Sequence, residues 1–499
     1  MLFNIDINKI INQFVFDPKD PLFFTSALLL FLFFFVLIIY YLLRKQKNYR
    51  IIFLLLFSLF FYYKVSGLFF LLLIGSAVVN FMFGKWINLF PDILRKRFIL
   101  FFSVAVNLSV LGYFKYTNFF FQVINDIASK NIEALDIIIP VGISFYTFKS
   151  LNYIFDIYLE KIEPENNFID FALFVSFFPN LLAGPIDRAE KFLPQVKKDV
   201  FVSREDVGKG IFLICSGLIK KVVIADYISL NFVDRVMDEP LRFTGVENLF
   251  AVYGYTLQIY CDFSGYSDIA IGLALLLGFK LMDNFNNPYK AASVAEFWRR
   301  WHISLSTWLL DYIFKPLQFS LRNLGVAGNA FAIIITFVLC GVWHGANWTF
   351  IVWGTIHGIL MGFSLVTRTP RSLFWKKLKL YNTKSLKVFQ VFIAFNLIAF
   401  SWVVFRAPSL QSAADVFGQM LNFFHAEIFP QFINGYPVIF TMILLGFIIH
   451  FLPEKIEMKT INYITKTPLL GKAVILAVII WIAIQVRSAD LQPFIYFKF

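Results

Sequence analysis

From Pro21 to Leu43 the chain carries no charged residue. A stretch of that length can cross a hydrocarbon core about 30 Å thick as a helix of roughly 20 residues. Fourteen such candidate runs lie between 22–43 and 471–487. Two of them, 51–73 and 66–84, overlap, and several are short, among them 168–183 and 267–280. The expected fold is therefore all-α, a polytopic membrane protein of about 10–12 transmembrane helices. The short runs are expected to be re-entrant or interfacial pieces, which survive at membrane depth only when protein or a cavity surrounds them. The chain is 59% hydrophobic and 15% charged, against roughly 25% charged in a soluble domain. No soluble domain is apparent, and residues 1–499 read as a single integral membrane domain with no repeat of fixed period.

The net charge of +13 is concentrated. Between Arg368 and Lys387 stand seven basic residues and no acid, and the loop from Arg44 to Arg50 adds four more. Basic loops stay on the cytoplasmic side, which would put the N-terminus outside. Both can touch anionic headgroups, so the bilayer is the expected partner and nucleic acid is not. No cleavable signal peptide is apparent. Ile7, Ile10, Ile11 and Phe14 fall at helical spacing and suggest a short helix in the interface plane. Cys215, Cys261 and Cys340 lie in or beside apolar runs without CxxC spacing, which suits small buried residues. There is no HExxH and no histidine pair at i, i+4, so no metal site is expected.

Five histidines occur in the chain. His302 sits in Phe297-Trp298-Arg299-Arg300-Trp301-His302-Ile303-Ser304, and His344 in Gly341-Val342-Trp343-His344-Gly345-Ala346-Asn347-Trp348. An ionisable residue in a membrane segment is costly and marks a functional site by default. Histidine is the usual general base near neutral pH. Gly341 and Gly345 beside His344 would leave room for a substrate, and Asn347 and the indoles of Trp343 and Trp348 are candidate donors to an oxyanion. Around His302 the segment 281–328 presents Trp298, Trp301, Ser304, Leu305 and Trp308 on overlapping faces. Arg299 and Arg300 stand between them, a pattern suited to the membrane interface and to pairing with phosphates. His357 reads as structural, and His425 and His450 as loop or interface residues.

Asp262 and Asp268 lie six residues apart in an otherwise apolar run with Gly265 between them. They do not share a face of a regular helix. Either they line a tunnel and fix a broken helix, or they are polar glue between spans. Near the end of the sequence, Tyr496 stands in Phe494-Ile495-Tyr496-Phe497-Lys498-Phe499. It is either an acyl-relay phenol or an aromatic anchor at the interface.

In order and spacing, these segments resemble the bacterial polysaccharide branch of the membrane-bound O-acyltransferase superfamily. The resemblance is carried by Leu182-Ala183-Gly184-Pro185-Ile186, the 262–272 segment, the His302 and His344 segments, Trp402-Val403-Val404-Phe405-Arg406-Ala407 and Phe494–Phe499. It covers roughly residues 140 to 499. It implies a helical bundle around a central tunnel, with His344 as the catalytic histidine and His302 as the second signature residue. It also implies an acyl thioester donor and no bound cofactor, with acetyl-coenzyme A the expected donor. A hydrolase-fold partner outside the cytoplasmic membrane would complete O-acetylation of a polysaccharide such as peptidoglycan or an alginate-like polymer. D-alanyl transfer to a teichoic-acid-type polymer is the alternative, and a polysaccharide or lipid transporter a third reading. The polymer itself is not legible.

Overall fold

The computed structural model describes residues 12–486 and Phe494, and every regular element among them is a helix. Most of the expected N-terminal interfacial helix, and Tyr496, fall outside the described residues. Among the described residues, seven helical stretches are long and apolar enough to cross a membrane, with Lys47–Leu89 counted as one. A bent pair, Ala426–Gly435 and Pro437–Phe451 at 98°, would make an eighth. Other apolar runs fold as shorter pieces, such as Ile143–Tyr158 and Phe168–Ser176.

The chain divides into two compact units, residues 1–214 with 269–281, and residues 215–268 with 282–499. The first unit contains α1 (Ala27–Leu42), α2 (Lys47–Ser66), α3 (Phe70–Leu89) and α4 (Ile93–Ala128). Ser26 and Asp92 cap α1 and α4 by accepting the N–H groups of Leu29 and Leu94, which satisfies donors that a helix start leaves orphaned. The overlapping apolar runs at 51–84 become α2 and α3 because Gly67, at φ +58°, turns the chain between them. Only glycine takes that backbone region without penalty. The Leu182–Ile186 segment is fully buried. Beneath it Lys149 donates to Asn180 Oδ1 (2.9 Å), and Asn180 Nδ2 donates to Asp187 (2.9 Å).

The second unit is built on α5 (Gly245–Leu276), whose last turns belong to the first. Its apolar window is 89% buried, so it is a core helix rather than a lipid-facing one. Two short helices follow, α6 (Val294–Trp298) and α7 (Ile303–Leu309). Then come α8 (Gly325–His344), α9 (Trp348–Val366), the basic helix α10 (Arg368–Lys377) and α11 (Lys384–Arg406). The helices α8 and α9 form a tight hairpin. A Cβ on Gly341 would strike the Phe350 carbonyl and one on Gly345 the Phe350 ring. Small residues of this kind let membrane helices approach closely. The space beside these glycines is filled by Phe350, so they serve helix packing and not the substrate access expected from the sequence.

The 281–328 segment also departs from expectation. Trp298, Trp301 and Trp308 are buried, with 4%, 1% and 4% of their surface exposed. They face the core and not the membrane interface. Trp301 packs against Phe297 (5.4 Å between ring centroids) and Trp402 (5.1 Å). The apolar pattern was real, but neighbouring helices cover it where lipid headgroups were expected to.

Candidate active site

The site lies wholly in the second unit and begins at a break. Between α6 and α7 the chain passes through His302 at φ +44°, ψ +54°, a left-handed conformation that a side chain adopts only under local constraint. The constraint is Asn284. Its carbonyl oxygen accepts the Ile303 N–H (2.9 Å), and its side-chain Oδ1 accepts the Ser304 N–H (3.2 Å) and hydroxyl (2.9 Å). Asn284 Nδ2 in turn donates to the Ser267 hydroxyl (3.2 Å) on α5.

The same Oδ1 lies 3.1 Å from His302 Nδ1. An amide oxygen only accepts, so Nδ1 carries the proton and the lone pair resides on Nε2. His302 is fully buried. Burial pushes its imidazole far below the usual range, to about 3, so the ring is neutral across the physiological range. The edge of Phe263 (4.6 Å between centroids) holds the other side of the ring.

Trp343 brings the two histidines into one cluster. Its ring centroid is 6.2 Å from that of His302 and 4.8 Å from that of His344. His344 is the last residue of α8 and is 3% exposed. Trp353 (5.1 Å) and Phe405 (5.2 Å) meet its ring edge-on. Trp353 is fully buried, and its indole N–H has no hydrogen-bond partner among the described residues. A buried donor left unsatisfied costs about 1–3 kcal/mol and calls for an explanation. Next to His344, it is an available donor for a developing oxyanion.

Other candidates have structural duties. Asn347 caps α9: its Oδ1 accepts the Thr349 N–H (3.0 Å), and its Nδ2 donates to the Pro408 carbonyl (3.0 Å). Both ends of its amide are engaged in holding the start of α9, with one of the two Nδ2 hydrogens used. Trp348 is 50% exposed. Arg300 is tied to Glu296 (2.8 Å) and the Asn286 carbonyl (3.2 Å), whereas Arg299 is exposed. His357 is structural, as expected. It accepts the Trp298 indole N–H at Nδ1 (3.1 Å) and lies 3.0 Å from the Ser401 hydroxyl at Nε2. His425 is exposed beside Glu427. His450, expected at a loop or interface, is instead buried and accepts the Tyr289 N–H (3.2 Å).

The helix α5 runs unbroken through Gly265. Asp262 is paired with Lys221, and Asp268 with Lys220 (2.7 Å). Both lysines come from the π-helical segment Ile219–Asp226, where Asp226 also pairs with Lys221 (2.7 Å). Sequence reasoning missed Asn284, Trp353 and these lysines. Two adjacent cations inside the apolar run 210–227 were the available signal for the lysines. Asn284 lay in a polar stretch with nothing to distinguish it. Phe494, 1% exposed, rests on Phe263 (5.3 Å) and Tyr266 (4.8 Å), so it shares with His302 a contact to Phe263.

The profile of the membrane-bound O-acyltransferase family matches residues 21–407. A "Peptidoglycan O-acetyltransferase" of Helicobacter pylori is 36% identical over 387 residues, 70% of each chain. A "Probable alginate O-acetylase AlgI" of Azotobacter vinelandii is 40% identical over 326 residues, 64% of this chain and 62% of that one. The latter match spans less than two thirds of its relative. A "Teichoic acid D-alanyltransferase" of Bacillus subtilis is 29% identical over 279 residues, covering 53% of this chain and 68% of the relative.

Proposed function

Because the chain belongs to the membrane-bound O-acyltransferase family, we propose that it is an O-acetyltransferase serving an extracytoplasmic polysaccharide from the cytoplasmic membrane. The donor is a thioester, acetyl-coenzyme A in the simplest case. The acetyl reading is preferred to D-alanyl transfer because the O-acetylating relatives are 36–40% identical and the D-alanyltransferase 29%. Supply of labelled acetyl-coenzyme A or of a charged carrier protein distinguishes the two donors. A passive transporter would need no acyl donor at all.

In this reading His344 takes the proton of the acceptor hydroxyl as its oxygen attacks the thioester carbonyl. The tetrahedral oxyanion is met by a preorganised donor, for which the Trp353 indole N–H is available. Collapse breaks the carbon–sulfur bond, and the imidazolium returns the proton to the leaving thiolate. His302, with its lone pair fixed on Nε2, orients the reacting groups across Trp343. Tyr496 is proposed as the hydroxyl that receives the acetyl group and hands it to a hydrolase-fold partner. The observation that favours this is the Phe494 ring, which meets Phe263, the same ring that meets His302.

The observation that carries the reading is the pair of buried imidazoles gathered about one tryptophan. The test is His344→Ala in the full chain, expressed in cells whose cell-wall or capsule polymer is isolated and its ester-linked acetate measured. Acetylation should fall to background, and acetylation retained at the wild-type level would exclude His344 as the base.

A further inference from the structure

A cavity of about 860 Å³ opens in the second unit where the basic segment folds against α9 and α11. Five cations line it: Arg299 after α6, Arg368 and Arg371 on α10, and Lys384 and Lys387 in the first turn of α11. No aspartate or glutamate lines it, and none of the five forms an ion pair among the described residues. Arg371 is held in place by donating to the carbonyl and hydroxyl of Ser364 (2.8 and 2.9 Å). The inner wall is apolar, formed by Ile333, Met361, Leu365 and Leu386, while Trp375 and Tyr381 also line the cavity.

A loop that only sets topology needs positive charges near the membrane, but it does not need them gathered in one cavity. Gathering five like charges with only Glu296 acting on one of them, Arg299, is unfavourable, and the penalty is relieved by a bound polyanion. Guanidinium forks and ammonium groups together suit phosphate oxygens. A single carboxylate would leave most of the charge unmatched. The apolar wall would take the hydrocarbon or amide arm attached to such a headgroup, as basic pockets between transmembrane helices do.

We propose that this cavity is a binding site for an amphiphilic phosphate ester, its phosphates held by these five cations and its body laid along the apolar wall. Two sources share that chemistry: the nucleotide portion of a coenzyme A thioester and the headgroup of an anionic phospholipid. Binding is read without turnover, so its outcome is separable from that of the acyl-transfer proposal.

The test uses the purified full chain in detergent, titrated separately with coenzyme A, short-chain phosphatidylglycerol and uncharged diacylglycerol. Binding is followed by tryptophan fluorescence and by the ligand-induced rise in melting temperature. At least one phosphate ester should bind saturably, and added salt should weaken it. Arg368→Gln/Lys384→Gln/Lys387→Gln should weaken that binding at least about tenfold, whereas Lys455→Gln/Lys459→Gln, at exposed sites on Glu454–Lys466, should not. If the triple variant is itself unstable, the single change Arg299→Gln gives the same comparison. Coenzyme A alone binding assigns the cavity to the donor, and phosphatidylglycerol alone to the bilayer. Saturable binding of neither, equal binding of diacylglycerol, or cavity variants that bind like wild type would overturn the proposal.

Discussion

At the scale of single residues, the arrangement turns on which polar atoms are committed and which are left open. Asn284 spends one oxygen on His302, on the Ser304 N–H and on the Ser304 hydroxyl, and in doing so fixes both an unusual backbone angle and a tautomer. The ring it holds is neutral in the fold, at about 3 against a usual ~6.5. Between those values the unfolded chain binds one more proton than the folded one, so this group makes stability rise with pH there. Its contribution is complete above about pH 6.5 and declines as pH falls towards 3. Melting curves in detergent at pH 7 and pH 5 should show that loss, and it should be smaller in His302→Gln. Beside His344, the Trp353 indole N–H is left open among the described residues. Trp353→Phe keeps the ring that meets His344 and Trp402 but removes the donor. We expect kcat to fall by about 10² or more, with only a modest fall in melting temperature from the smaller ring in a buried site. A kcat within twofold of wild type would remove Trp353 from the oxyanion role.

At the scale of elements, the helix α5 is the keel of the second unit. Its aspartates were legible as expensive residues, with two readings open: lining a tunnel around a helix broken at Gly265, or polar glue between segments, and the lysine pairs fit the second. The continuous helix and the lysine partners were decided by the π-helical segment, whose wider turn brings Lys220 and Lys221 to two successive levels of α5. Lys221→Met would leave Asp262 charged and buried, at a cost of about 3–5 kcal/mol. Lys221→Met/Asp262→Leu should recover most of it. A thermal melt of the single and double variants decides between this and a purely local effect. The tryptophans of α6 and α7 carry a similar lesson. Their spacing marks an amphipathic face in either case, and periodicity cannot say whether headgroups or a neighbouring helix covers it.

At the scale of the whole molecule, orientation follows from charge. The segment from Arg368 to Lys387 should face the cytoplasm. All three cysteines are buried, at 6%, 3% and 0% exposure, so the folded chain should be nearly silent to a membrane-impermeant maleimide. Against that background, Lys379→Cys should label in inside-out vesicles and not in intact cells. Labelling from outside would invert the topology. The hydrophobic runs, the basic segment, the family and the two histidines worth watching were all written in the sequence, because hydropathy, charge and motif order are properties of residues taken along the chain. Which tryptophans are core, which glycines are packing contacts, that Asn284 sets His302 and that Trp353 holds a spare donor were decided only by the fold. Those are relations between residues far apart in the chain, and a buried polar atom has a meaning only once its neighbours are in place.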